Sequence, residues 1–219
     1  MRRAVHRSSL GAFWAIALAS SCETKVDEPE AVRAPPPPKA AVASASGAAS
    51  ASSAASPDRC LVPLEPSPTR PIVHGESFDP KCPADPGRLT MDTATVRFAP
   101  PGGTPRALKV EVARTEDHRQ RGLMYRRALV EDEGMIFHFG EGEKKRHAFW
   151  MHNTCVPLDM LFLDDDGTIV GIQENTPTMS DDTFQVRCAS RYVLEVKAGW
   201  ARRNGVKPGD KAELVGVVK

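Results

Sequence analysis

The chain has 219 residues, 29 basic against 28 acidic, and only 6% aromatic residues. Such balanced charge excludes the large basic excess of a phosphate-tracking nucleic-acid binder, so no nucleic-acid partner is expected. Proline, alanine and serine runs deny part of the chain a packed core, while the remainder is long enough for one domain.

Residues 1–21 read as a secretory signal. Arg2, Arg3, His6 and Arg7 form a positive start, and Leu10 to Leu18 is apolar. That apolar run is about half the length needed to span a bilayer. Ala19-Ser20-Ser21-Cys22 follows, small residues ahead of a cysteine as in a bacterial lipobox, with Ala where Leu is preferred. The competing reading is ordinary cleavage that leaves Cys22 a free thiol. Parity separates the two: lipidating Cys22 leaves Cys60, Cys82, Cys155 and Cys188, an even set for an oxidising compartment. Each buried methylene contributes roughly 0.8 kcal/mol, and one chain holds only marginally. The two or three acyl chains of a lipoprotein cysteine, palmitate among them, would anchor it stably. The expected location is therefore the cell envelope, on the periplasmic side of a membrane or at the cell surface.

Residues 22–57 are a low-complexity tether, with Pro35-Pro36-Pro37-Pro38 favouring extended geometry and Ala40 to Ser56 almost only Ala, Ser and Gly. Residues 58–88 are proline-rich and bracketed by Cys60 and Cys82. A Cys60–Cys82 disulfide would close a loop of roughly twenty residues, worth about 3 kcal/mol in the chain-entropy model. Cys155–Cys188 is the complementary expected pair.

From residue 89 to 219 the texture becomes that of a folded domain. Thr95 to Phe98 and Leu108 to Val112 alternate apolar and polar residues as half-buried strands do, joined by Pro101-Gly102-Gly103. Thr115 offers a helix N-cap, Glu116 and Asp117 sit in the first turn, Arg119 and Arg121 follow, and Gly122 stops the helix. Met135 to Phe139, Ala148 to Met151, Met160 to Leu163, Thr168 to Ile172, Tyr192 to Val196 and Ala212 to Val218 read as further strands, with a helical turn at Trp200 to Asn204. Asp164-Asp165-Asp166-Gly167 hints at calcium, but it lacks the spacing and closing Glu of a calcium loop and reads as a hairpin turn. These elements predict a mostly β fold: a compact antiparallel sandwich or barrel with one or two short helices.

Several motifs occur in order: Arg121-Gly122-Leu123-Met124, Glu133-Gly134-Met135, Phe149 to Thr154, Pro157-Leu158-Asp159-Met160, Arg191 to Val196 and Gly209-Asp210. Together, over roughly residues 107–215, the chain resembles the bacterial and archaeal family DUF192. That resemblance implies a small β-rich fold, often behind a signal peptide, and no established activity.

Phe149 to Asp159 holds the best candidate site. On a strand, Phe149 and Met151 face one side and Trp150 the other. Trp150, Asn153 and Asp159, joined by Arg121, would offer an aromatic face with amide, carboxylate and guanidinium groups, suited to a saccharide or peptide fragment. The competing reading has Asn153 and Asp159 stabilising a turn. Met124, Met135, Met151, Met160, His138, His147 and His152 could suit copper, but methionines in apolar strands usually fill cores. Cys155 near His152 and Asp159 could be a nucleophile, yet pairing with Cys188 is simpler. The expectation is a monomeric, membrane-anchored binding module for a polar envelope ligand, with no catalytic residue, metal or cofactor. The alternatives are an enzyme acting on an envelope saccharide or peptide, with Asp159 or Glu195 as acid or base, and a periplasmic copper-handling protein.

Overall fold

The computed structural model describes residues 59–66, 78–142 and 144–218, all within one unit, Ser52–Lys219. The expected signal, the expected lipidation at Cys22 and the expected tether lie outside the described residues. In chain order come β1 (Asp92–Phe98), β2 (Arg106–Ala113), α1 (Glu116–Arg121), β3 (Glu133–His138), β4 (Ala148–Phe149) and β5 (Leu158–Leu163). They are followed by β6 (Ile169–Thr176), β7 (Phe184–Gln185), β8 (Tyr192–Lys197), α2 (Trp200–Arg203) and β9 (Ala212–Val215).

Seven strands form one sheet in the order β6-β5-β8-β3-β2-β1-β9, and β4 pairs with β7 separately. The sheet curls until its end strands meet: Ile169 N–H donates to the Asp210 carbonyl (2.9 Å) and Ala212 N–H to the Gly167 carbonyl (2.9 Å). The result is a half-barrel, as the strand-rich sequence predicts. One pairing departs from the antiparallel expectation: β2 and β3 run parallel, because α1 intervenes as a crossover.

Alternation sets two cores. Leu161, Leu163, Ile136, Leu194 and Val196 face inward with Val96, Phe98, Val110 and Trp200. Met160, Phe162, Met135, Phe137 and Val193 face outward and pack with Leu123, Met151 and Phe184. Met135, Met151 and Met160 are fully buried there, so they fill the core as thioethers commonly do.

The predicted α1 forms as its sequence dictates. Thr115 accepts the His118 N–H (3.2 Å), and Gly122 ends the helix at a φ of 47°. The Asp164–Gly167 segment is the β5–β6 turn, with Gly167 at a φ of 81°. Its acids are matched by cations: Asp166 by Arg59 (2.9 Å) and Lys211 (3.6 Å), Asp165 by Arg191 (2.6 Å). Hydrogen bonding to Arg59 holds the Asp166 carboxyl well below the usual carboxylate range.

The four cysteines pair fully, but not as expected. Cys60 bonds Cys188 and Cys82 bonds Cys155. The reason lies in where the N-terminal strap runs. Its two described pieces lie along the sheet instead of closing on each other: Val62 N–H donates to the Val170 carbonyl (2.8 Å) and Asp79 N–H to the Cys155 carbonyl (2.8 Å). Each strap cysteine thus meets a body cysteine. Peptide mapping without reduction should recover Cys60–Cys188 and Cys82–Cys155. Replacing either pair with serine should cost about 2–4 kcal/mol in urea unfolding, since both close long loops. A Cys60–Cys82 peptide would contradict this arrangement.

Candidate functional site

The loop after α1 and the loop after β4 meet at a point of backbone strain. Tyr125 holds a φ of 65° and Asn153 a φ of 52°. Asn tolerates this region, but for a bulky aromatic it is a true outlier, costing on the order of 1–3 kcal/mol. The two residues hold each other. Tyr125 N–H donates to the Asn153 carbonyl (2.8 Å), and Asn153 Nδ2 donates to the Tyr125 hydroxyl (3.0 Å). The Arg121 guanidinium lies 4.5 Å from the centre of the Tyr125 ring, within cation–π range, and donates to Asp85 and to the Gly87 carbonyl (2.7 Å).

Beside this cluster lies a hollow of about 300 Å³ whose lining includes Arg88, Arg121, Arg126 and Arg127 against Asp85 and Glu133. A second hollow of about 330 Å³ shares Arg88, Arg126 and Glu133 and continues past Lys109 and Glu111. Arg126 grips Glu111 with two hydrogen bonds (2.9 and 2.5 Å), and Arg88 adds a third (2.6 Å). Burial pushes the Glu111 carboxyl up, but the two arginines outweigh it and leave it lowered. Arg127 lies over the Phe78 ring at 4.9 Å. Guanidiniums fixed by neighbours in this way are pre-organised for carboxylate or phosphate oxygens.

The structure therefore brings Arg121 and Asn153 together through Tyr125. Trp150 is half-buried and belongs to a separate stack, 4.8 Å from the His152 ring, whose Nδ1 lies 2.7 Å from Asp181. Asp159 is corrected from a surface ligand group to an interior one. It is fully buried and accepts three backbone N–H bonds, from Asn175 (2.8 Å), Gly199 (3.0 Å) and Ala201 (3.1 Å). The N-cap of helix α2 is Gly199, which has no side chain to accept from the first turn, and Asp159 supplies the missing acceptor from β5. Burial raises its pKa, partly offset by those three donors.

Glu195, the other acid weighed from the sequence, is 4% exposed on the outer face of β8, opposite Met135 and Met160. Burial pushes its carboxyl up to about 8, against the pull of Arg126. Cys155 is bonded to Cys82, so it offers no thiol for nucleophilic chemistry.

Tyr125, Arg88 and Arg126 went unnoticed in the sequence. The arginine density of Arg119-Gln120-Arg121 and Arg126-Arg127 was a usable signal for the hollow. No sequence rule marks a tyrosine with positive φ.

By fold and surface this is a small half-barrel stapled by two disulfides, with an arginine-walled hollow between strap and sheet. The chain belongs to the DUF192 family, described as uncharacterized, whose model matches residues 98–214. It is similar to a crystal structure described as a candidate transcription regulator from Sinorhizobium meliloti 1021, at 42% identity and a TM-score of 0.55. That match covers 58% of this chain and 98% of the other. A protein of unknown function from Novosphingobium aromaticivorans DSM 12444 matches at 32% identity and a TM-score of 0.51, over 60% of this chain and 91% of its own. No curated protein matches the chain.

Proposed function

We propose that the domain is a non-catalytic binding module for a polar, anionic ligand of the cell envelope, held at a membrane by a lipid on Cys22. The observation that carries this reading is the Arg121–Tyr125–Asn153 cluster beside the arginine-walled hollow. Strained backbone of this kind is retained where a surrounding network over-determines it, which is commonly at ligand sites. Carboxylate-bearing peptidoglycan fragments fit the chemistry, because they pair sugar and peptide groups with a negative charge that a fixed guanidinium recognises. Among the described residues no helix is long and apolar enough to cross a membrane. A transcriptional role, the description given to the S. meliloti protein, finds no support in a chain with 29 basic and 28 acidic residues.

N-acetylmuramyl dipeptide should bind the purified domain with micromolar affinity in calorimetry, and Arg121→Ala should weaken it at least tenfold. Absence of binding by the parent, or equal binding by the variant, would overturn the assignment. The enzyme reading would need Glu195 as its acid, and this carboxyl, pushed up to about 8 by burial, lines neither hollow. Cleavage of the dipeptide in a prolonged incubation followed by NMR, abolished by Glu195→Gln, would decide for that second reading.

A further inference from the structure

At the open end of the half-barrel, sharing no lining residue with the arginine-walled hollow, lies a cavity of about 780 Å³ between β1, β2, β9 and the β5–β6 turn. This volume falls in the range of roughly 300–1,000 Å³ typical of small-molecule sites, and barrel mouths are a common place for them. Its floor is closed: Phe98, Tyr192 and Ala212 are nearly or fully buried. Its apolar wall comes from Leu214, on the same face as Arg106, and from the half-exposed Val218.

The rim carries charge of both signs, and most of it is already matched. Arg97 pairs with Glu213 (3.3 Å), Lys211 with Asp166 (3.6 Å) and Asp165 with Arg191 (2.6 Å). Arg106, also on the rim, has no carboxylate within ion-pair distance among the described residues. One unmatched guanidinium beside an apolar basin suits a molecule with one negative charge and a hydrocarbon tail.

We infer that this mouth binds a single-chain fatty acid, its carboxylate on Arg106 and its hydrocarbon lying across Leu214 and Val218. The closed floor keeps the tail at the mouth and out of the inward core. Each methylene covered there leaves water, and the guanidinium fork can take the carboxylate with two hydrogen bonds.

The test uses the full chain carrying Cys22→Ser, so that its own acyl groups do not compete. Fluorescent cis-parinaric acid should bind saturably with one site, and dodecanoate should displace it. Arg106→Gln should weaken dodecanoate at least tenfold while leaving dodecanol unchanged. Leu214→Trp, or Val218→Trp if the first variant fails to fold, should fill the basin and abolish binding of both. Muramyl dipeptide binding should be unaffected by these variants, which separates failure at this mouth from failure at the arginine-walled hollow. Absence of saturable uptake, equal affinity for acid and alcohol, or dissociation of a dimer of the chain by the tryptophan variants would each overturn the inference. The last result would assign the mouth to a second copy of the chain.

Discussion

Asp159→Ala should remove about 4–6 kcal/mol from a domain whose total stability is expected to be on the order of 5–15 kcal/mol. The substitution strips the shared acceptor from three buried N–H groups at once, those of Asn175, Gly199 and Ala201. A buried donor left without a partner costs about 1–3 kcal/mol, and no side chain at Gly199 can replace the lost cap. Asp159→Asn keeps one accepting oxygen and should lose roughly half as much. Urea unfolding at neutral pH measures both. A change below about 1 kcal/mol for the alanine variant would show that Asp159 does not hold β5, β6 and α2 together. Such a result would also reopen its candidacy as a ligand group.

Glu195→Gln should raise stability, and raise it more as pH increases. Burial lifts the Glu195 carboxyl from 4.5 to about 8. Between those values the folded chain keeps a proton that the unfolded chain has released. The associated stability is fully present below 4.5 and is lost as pH rises toward 8. At about 1.4 kcal/mol per unit, the loss across the window comes to about 5 kcal/mol. Because the side chain is 4% exposed, solvent screening offers little relief. Glutamine keeps the shape and does not ionise in this range. The variant should therefore match the parent near pH 4, exceed it by about 3 kcal/mol at pH 7, and by about 5 kcal/mol at pH 9. Parallel pH profiles for parent and variant would show that Glu195 is not held protonated in the fold.

These two acids also show how far a sequence can be read. Both sit inside apolar strands, Leu158-Asp159-Met160 and Leu194-Glu195-Val196; the apolar runs Met160 to Leu163 and Tyr192 to Val196 mark these strands in the sequence, but the first leaves Asp159 outside it. In the structure, alternation separates the inward Leu161 and Leu163 from the outward Met160 and Phe162. What it could not show is which distant backbone the acids meet. The partners of Asp159 lie 16 to 42 residues away, and nothing local encodes them. The α1 helix was legible to its ends because Thr115 and Gly122 act on their own neighbours. The disulfide pairing was not, because it depends on a strap laid along the sheet by long-range hydrogen bonds. Strand β7 escaped notice at two residues, too short for any period to register. At the candidate site, Arg121 and Asn153 were chosen from the sequence and do meet, whereas Tyr125, which joins them, carries its signal only in a backbone angle.

The route of the Cys60–Cys188 bond has a mechanical consequence. Tension applied to the chain ahead of Cys60 enters the sheet through sulfur, just before β8, an interior strand flanked by β5 and β3. Load is thus diverted past the strap between Cys60 and Cys82, whose hydrogen bonds would otherwise unzip one at a time. A domain suspended by its leading end would hang from an interior strand of its sheet, close to the Arg59–Asp166 pair at the barrel mouth.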